Sequence, residues 1–185
     1  MIEGVRGTRA IEGVAAQKYE RIVETFNTVY KNLDFELIKI PILEKEELFT
    51  RTTGEFTDIV TKQMYQFKDK GGRSLVLRPE GTAGVMRNYI EKKYNNQKKY
   101  IYCEQMYRYE RPQKGRYREF HQVGAEIIGS NDTLDSSIDI LKGSVKFLQS
   151  LNVDFSLIIN TIGISEDRDK YMKTLEKYIE RIKKS

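Results

Sequence analysis

Cysteine and histidine each occur once in this chain, tryptophan is missing and proline appears three times. The lone Cys103 excludes a disulfide framework and a thiolate metal cluster. It falls in an expected strand, where it reads as core filling. With His121 the single imidazole, a Ser/His or Cys/His nucleophilic apparatus has little to build on, and no residues are assigned to a metal. No run approaches the roughly 18 consecutive apolar residues of a membrane helix. The start, Met1-Ile2-Glu3-Gly4, has neither the basic nor the apolar region of a signal peptide. Together these absences lead to the expectation of a cytoplasmic protein with no membrane partner. Two phosphate-binding loops are also missing: no Gly-x-x-x-x-Gly-Lys-Ser/Thr occurs, and no Gly-x-Gly-x-x-Gly follows a strand.

What the chain does have is charge. Asp, Glu, Lys and Arg make up 32% of its 185 residues, the net charge is +5 and mean hydropathy is −0.60. That length holds one sizeable core and an appendage. The positive balance permits a nucleic-acid partner without establishing one, because many expected helix faces carry both signs. The densest cluster outside the central stretch, residues 91–100, holds four lysines and two tyrosines. It suits a solvated helix end as well as an RNA contact.

Apolar spacing predicts a helix over 14–32, with Ala15, Tyr19, Ile22, Phe26 and Val29 on one stripe. A strand follows over 35–40, stopped by Pro41, which cannot donate to a ladder. A short helix is predicted over 44–52, ended by Gly54, with a loop at Thr57-Asp58. Strands over 63–67 and 74–77 flank Asp69-Lys70-Gly71-Gly72, a hairpin signal. Arg78-Pro79-Glu80-Gly81-Thr82 then opens a helix to about Asn95, with Thr82 able to cap it. Two antiparallel strands, 99–109 and 118–128, come next. A helix over 133–150 is capped by Asn131 or Asp132, with Leu134, Ile138, Leu141, Val145 and Leu148 on its apolar stripe. A strand over 153–160 and a last helix from Ser165, with Tyr171, Leu175, Tyr178 and Ile182 on one side, complete the chain. Hairpins and adjacent antiparallel strands flanked by helices predict an α+β fold in one domain over 1–185.

The central stretch is Arg108 to Gly129. Five basic residues, Arg108, Arg111, Lys114, Arg116 and Arg118, sit in a loop punctuated by Pro112 and Gly115. Guanidinium groups offer the bidentate hydrogen bonds that phosphates favour, although an exposed basic turn would have the same composition. The strand beyond alternates. His121, Val123, Ala125 and Ile127 form an apolar face, on which His121 reads as a hydrogen-bonded structural histidine. Phe120, Gln122, Gly124 and Glu126 form the other, whose polar groups need partners if covered. A polyanion held beside a small polar ligand fits that pairing. At the helix start, the Glu80 carboxylate favours the positive end of the dipole; it serves equally as a cap or as the receiver of a ligand ammonium group. Arg78 reads as a ligand contact or as a structural ion-pair partner.

These motifs resemble class II aminoacyl-tRNA synthetases, specifically the histidyl-tRNA synthetase family. Arg6-Gly7-Thr8 resembles its N-terminal signature, and Phe35 to Pro41 its motif 1, which helps build a dimer interface. Arg78-Pro79-Glu80-Gly81-Thr82 resembles its substrate loop. Arg108-Tyr109-Glu110-Arg111-Pro112-Gln113-Lys114-Gly115-Arg116, followed by Phe120-His121-Gln122 and Glu126, resembles its motif 2. The resemblance implies a class II antiparallel sheet flanked by helices, and a histidine subsite of Glu80, Gly81, Thr82, Arg108, Gln122 and Glu126. It implies an ATP subsite of Arg108, Glu110, Arg116 and Phe120, with Arg108 the catalytic residue. Its implied partners are L-histidine, ATP with Mg²⁺, tRNA(His) and, in a full-length protein, a second copy.

The family's later Arg-Gly-Leu-Asp-Tyr-Tyr-like segment, motif 3 arginine and anticodon-binding domain do not occur before Ser185. The chain is therefore expected to be part of a longer enzyme, inactive or weakly active alone. Two rival readings share the resemblance: the synthetase-like regulatory subunit of ATP phosphoribosyltransferase, and a sensor domain for uncharged tRNA. Intact Arg-Pro-Glu-Gly-Thr and Glu-Arg-Pro-Gln-Lys-Gly-Arg forms favour the enzyme.

Overall fold

The structure is a computed structural model describing residues 2–53, 63–160 and 165–183. The expected stop at Gly54 and loop at Thr57-Asp58 lie outside the described residues. Two compact units divide the chain, residues 1–153 and 154–185.

The first unit is built on two three-stranded sheets. Helix α1 (Gly13–Lys31) leads into a two-residue strand β1 (Glu36–Leu37). Then come β2 (Leu43–Lys45), α2 (Glu46–Thr53), β3 (Tyr65–Lys68) and β4 (Ser74–Leu77). Helix α3 (Thr82–Glu91), the long strands β5 (Lys98–Tyr107) and β6 (Glu119–Ile128), and α4 (Thr133–Ser150) complete it. The larger sheet has the order β1-β5-β6 and the smaller one β2-β4-β3. β5 and β6 pair antiparallel in an unbroken register from Lys98 opposite Ile128 to Tyr107 opposite Glu119. β1 pairs parallel with β5, so the larger sheet is mixed.

The expected 35–40 strand keeps only its middle in the ladder. Beyond Ile38 N–H, which donates to Ile101 O, the chain leaves the sheet. The expected helix over 44–52 starts later, because residues 43–45 pair with β4 as β2. Glu44 is therefore a strand residue, 7% exposed, and the Arg87 guanidinium neutralises it at 2.8 Å. The hairpin after β3 forms as expected. Asp69 Oδ1 accepts from Gly71 N–H and Arg73 N–H, both at 2.9 Å, and Gly72 takes a φ of +77°. α3 stops at Glu91 rather than Asn95: Lys92 caps it, and Lys93 turns left-handed at φ +52°.

One face of the larger sheet packs on α1 and α4. Ile101 and Cys103 of β5 and Phe26, Val29 and Tyr30 of α1 form a buried cluster, with Ile140 and Phe147 of α4 against it. α4 meets α1 through Ile140, Ser144 and Gly143, where an added methyl would lie 2.4 Å from the Tyr30 ring. Its contact face is thus offset from the expected apolar stripe, of which Leu134 is exposed and Ile138, Leu141, Val145 and Leu148 are half-buried. Asp132 is the cap, accepting from Leu134 N–H and Asp135 N–H. The opposite sheet face packs on α3, through Tyr100, Tyr102, Met106, Val85 and Ile40.

In the second unit, helix α5 (Ser165–Lys183) forms as expected, with Tyr171, Tyr178 and Ile182 exposed. Residues 153–160, expected as a strand, run without a ladder, and Leu157, Ile158 and Ile159 are exposed. A strand exists through its neighbour's backbone, and no partner strand pairs with this segment among the described residues. No described helix is long and apolar enough to cross a membrane.

Candidate active site

The β5–β6 register decides which side chains share a face. Residues two apart point the same way, so Phe120, Gln122, Gly124 and Glu126 stand with Met106, Glu104, Tyr102 and Tyr100 on the α3 side. The apolar side expected of His121 holds for Val123, Ala125 and Ile127, which contact the helical cluster. His121 itself is exposed, its ring 4.5 Å from that of Tyr19. Burial of Cys103 pushes its thiol up to about 11, as suits a core residue and not a nucleophile.

Residues 78–82 bend over this face. Arg78 is 1% exposed and wholly engaged: Nε donates to Gln105 O at 2.8 Å, Nη1 to Ile40 O, and Nη2 to Glu104 Oε2 at 2.7 Å. Of the two roles open for Arg78, the structural one is realised. Glu80 caps α3, its oxygens accepting from Thr82 N–H at 2.6 Å and Ala83 N–H at 2.9 Å. That frees the Thr82 hydroxyl from capping, and it donates instead to Glu126 Oε1 at 2.6 Å. Glu126, 44 residues beyond Thr82, thus meets Thr82 and its neighbour Glu80 in one acidic cluster. Burial raises the Glu126 carboxyl above the ordinary range; the Thr82 hydrogen bond opposes this and the charge of Glu80 adds to it. Nearby, Gln122 Oε1 is buried and has no hydrogen-bond partner among the described residues, so it can accept from a ligand N–H.

The basic loop is tied to the same place. Arg108 Nε donates to Pro79 O at 2.9 Å, and its guanidinium carbon lies 5.0 Å from the Phe120 ring centre. Arg118 is used structurally, donating to Glu110 O at 3.2 Å and stacking 4.1 Å over Tyr109. Gly7 lets it do so: a methyl there would sit 2.8 Å from Arg118 Cγ, and the glycine's φ is +87°. Arg116 Nη1 is 3.9 Å from Glu110 Oε2, across a tight turn where Gly115 has φ +83°. Arg111, Lys114 and Arg116 are exposed. The arrangement places cations at the loop, an acidic cluster at the sheet, and Arg108 between them.

A family model described as histidyl-tRNA synthetase matches residues 7–176. The chain belongs to the histidyl-tRNA synthetase family. It is 44% identical over 184 residues to the histidine–tRNA ligase of Halothermothrix orenii, which covers 97% of this chain and 43% of that protein. Against the histidine–tRNA ligase of Aquifex aeolicus it is 42% identical over 186 residues, 98% of this chain and 46% of that one. Among solved structures, apo S. aureus histidyl-tRNA synthetase aligns with a TM-score of 0.76 at 34% identity, covering 98% of this chain and 43% of that chain. The chain thus spans less than half the length of these relatives. An ATP phosphoribosyltransferase regulatory subunit/histidyl-tRNA synthetase from Bacillus halodurans C aligns at 24% identity and a TM-score of 0.67 over 83% of this chain and 39% of that one, a likeness of fold alone. The class II synthetase fold, α+β, is the one expected from the motifs.

In this member of the histidyl-tRNA synthetase family, two residues beside these side chains are not legible in the sequence. Glu104 anchors Arg78 from β5, and Tyr102 lies beneath the acidic cluster. β5 is buried on both faces over 100–103, so alternation could not say which of its side chains look toward the site. A signal was present in the pairing: Tyr102 stands opposite Gly124, and a large ring opposite a glycine marks a ring lying over backbone.

Proposed function

We propose that this chain is part of a histidine–tRNA ligase and carries much of its adenylation site. Residues 1–185 then form part of one class II catalytic domain. What supports the reading, beside the family, is the joining of Glu80, Thr82 and Glu126 with Arg108 through the Pro79 carbonyl on one sheet face. The acidic cluster suits the cationic end of an amino acid, and the loop suits a polyphosphate.

In the first step a carboxylate oxygen of L-histidine attacks the α-phosphorus of ATP. The new O–P bond forms as the bond to pyrophosphate breaks, giving histidyl-adenylate. No general base is required, since the carboxylate is already ionised at neutral pH. The chain's task is alignment and charge stabilisation. Arg108 bridges the carboxylate and the α-phosphate, held in aim by its bond to Pro79 O. Arg116 contacts the outer phosphates, Glu110 the adenine and Phe120 stacks on its ring. Glu80, Thr82 and Gln122 hold the α-ammonium group beside Gly81, and Glu126 reads the imidazole. Mg²⁺ arrives as the counter-ion of the nucleotide. The second step passes the histidyl group to the 3′ end of tRNA(His).

A homodimer of the full-length protein completes the reading. Exposed Leu37, Ile42 and Leu43, at and just after the motif 1 segment, give such an interface apolar surface. The testing experiment is ATP–pyrophosphate exchange by the full-length protein with each of the twenty amino acids. Exchange with histidine alone is expected; exchange with another amino acid, or none with histidine, overturns the proposal.

A further inference from the structure

The N-terminal segment has no part in the roles just assigned, yet it is fastened to the loop that carries several of them. Residues 5–8 close on themselves: Thr8 N–H at 3.0 Å and Thr8 Oγ1 at 2.8 Å both donate to Val5 O. From that turn, Gly7 O accepts from Arg118 N–H at 2.8 Å and from Glu119 N–H at 3.4 Å, where the basic loop runs into β6. A methyl group on Gly7 would fall 2.8 Å from Arg118 Cγ and 3.0 Å from Pro112 Cγ. The glycine therefore lies against the outgoing and the returning limb of the loop at once.

Arg9 adds a second fastening, to a residue 108 positions along the chain. Its Nη1 donates to Tyr117 OH at 2.9 Å, and its guanidinium carbon stands 4.2 Å from the centre of the Tyr117 ring. A hydrogen bond to the tip and a cation–π contact over the face fix one ring in two ways. Arg9 is exposed and Tyr117 half-buried, so the clamp orders the loop without belonging to the core. The next residue back, Arg116, is exposed and reaches Glu110 Oε2 only at 3.9 Å, too far to aim it. The outgoing limb is tied to β3 instead, where Tyr109 N–H donates to Gln63 O at 2.7 Å and its ring meets Tyr65 edge-on at 5.5 Å. Beyond the loop itself, the returning limb is held by Gly7 and Arg9.

We infer that Arg9 is a positioning residue of the nucleotide subsite, which clamps the Tyr117 ring and so keeps the neighbouring Arg116 aimed at the outer phosphates. The inference rests on the ATP-binding role proposed above for that loop. Without the clamp the returning limb opens more often, and Arg116 must be ordered by the nucleotide itself, at a cost in affinity. Arg9 touches neither substrate in this scheme; it acts through Tyr117.

The test is Arg9→Ala in the full-length protein, read in two ways. Amide hydrogen exchange over 113–118 is expected to quicken about three- to tenfold, the scale of an exposed cation–π contact with one hydrogen bond, while the β5 amides keep their rates. Histidine-dependent ATP–pyrophosphate exchange is expected to show KM for ATP raised by about the same factor, with KM for histidine and Tm near wild type. Arg9→Lys keeps a cation over the ring and should recover most of both effects. Tyr117→Ala should match Arg9→Ala although Arg9 keeps its charge, and the double variant should lose no more than either single one. An unchanged KM for ATP in Arg9→Ala overturns the inference. So does an indifferent Tyr117→Ala, which would make Arg9 act by its charge alone. Equal losses toward both substrates with a lowered Tm overturn it too, making the clamp a general fold contact. Unchanged amide exchange in the loop refutes the clamp whatever the activity. A wild-type protein without histidine-dependent exchange removes the proposed function and this inference with it, even where the loop amides respond.

Discussion

Replacing Arg78 by methionine tests how the substrate loop is held. The guanidinium has almost no access to solvent and makes three hydrogen bonds, to Gln105 O, Ile40 O and the Glu104 carboxylate. Methionine roughly keeps the volume and removes the charge. Glu104, only 14% exposed at its side chain, then loses its buried cation. Its other oxygen lies 3.3 Å from Lys39 Nζ without hydrogen-bond geometry, and Lys39 is 70% exposed. So solvated a cation offsets at most about 1 kcal/mol. Breaking a buried pair from one side costs about 3–5 kcal/mol, a large part of the roughly 5–15 kcal/mol that stabilises a domain. Urea unfolding of this chain, followed by circular dichroism, should show that loss as a lower midpoint at unchanged slope. Thermal melts should fall by about 6–20 °C at this chain length. The charge logic has its own control: Arg78→Met with Glu104→Gln removes the stranded carboxylate and should recover at least about 2 kcal/mol of the loss. A loss below about 1 kcal/mol in Arg78→Met, or a double variant no better than the single one, would refute the reasoning.

Three further outcomes follow from the same geometry. Gly124→Ala drives a methyl into the Tyr102 ring and should destabilise by about 1–3 kcal/mol in urea, with histidine binding weakened more than ATP binding. The Glu126 carboxyl has a raised folded pKa, so its proton is held more tightly in the folded chain and stability falls as pH rises through that value. Glu126→Gln should therefore flatten the rise in urea sensitivity from acid to neutral pH while weakening histidine binding in equilibrium dialysis. Asp69 is opposite in sign: the Arg73 backbone N–H, first among its partners, lowers its pKa, so its contribution is present above the unfolded value of about 3.9 and lost as pH falls through the folded one. Asp69→Asn should remove that part of the acid-side loss, read as midpoints that drop less between pH 5 and pH 2 than those of wild type.

Much of this was legible because it is local. β6 announces itself by alternation, and the Asp69–Gly72 turn by a capping carboxylate ahead of two glycines. The basic loop and the 78–82 segment are contiguous motifs, so their residues are legible without a knowledge of their positions in space. What stayed hidden depends on contacts distant in sequence. Glu44 reads as a polar helix start, but pairing with Val76 and neutralisation by Arg87 make it a buried strand residue. Arg78 read two ways until Ile40, Glu104 and Gln105 surrounded it. The 153–160 segment alternates like a strand, yet a ladder is a property of two segments. Thr82 suits a helix cap by composition; Glu80 takes that post, and the hydroxyl turns to a carboxylate 44 residues along. Tyr102 was invisible because β5 is buried on both faces.

The central claim is that Arg108 joins the amino-acid cluster to the nucleotide loop. Its most direct measurement is histidine-dependent ATP–pyrophosphate exchange by the full-length protein with Arg108→Gln beside wild type. Loss of the guanidinium should lower the exchange rate by about a hundredfold or more, with circular dichroism and Tm close to wild type. A folded Arg108→Gln protein that exchanges at the wild-type rate would contradict the account.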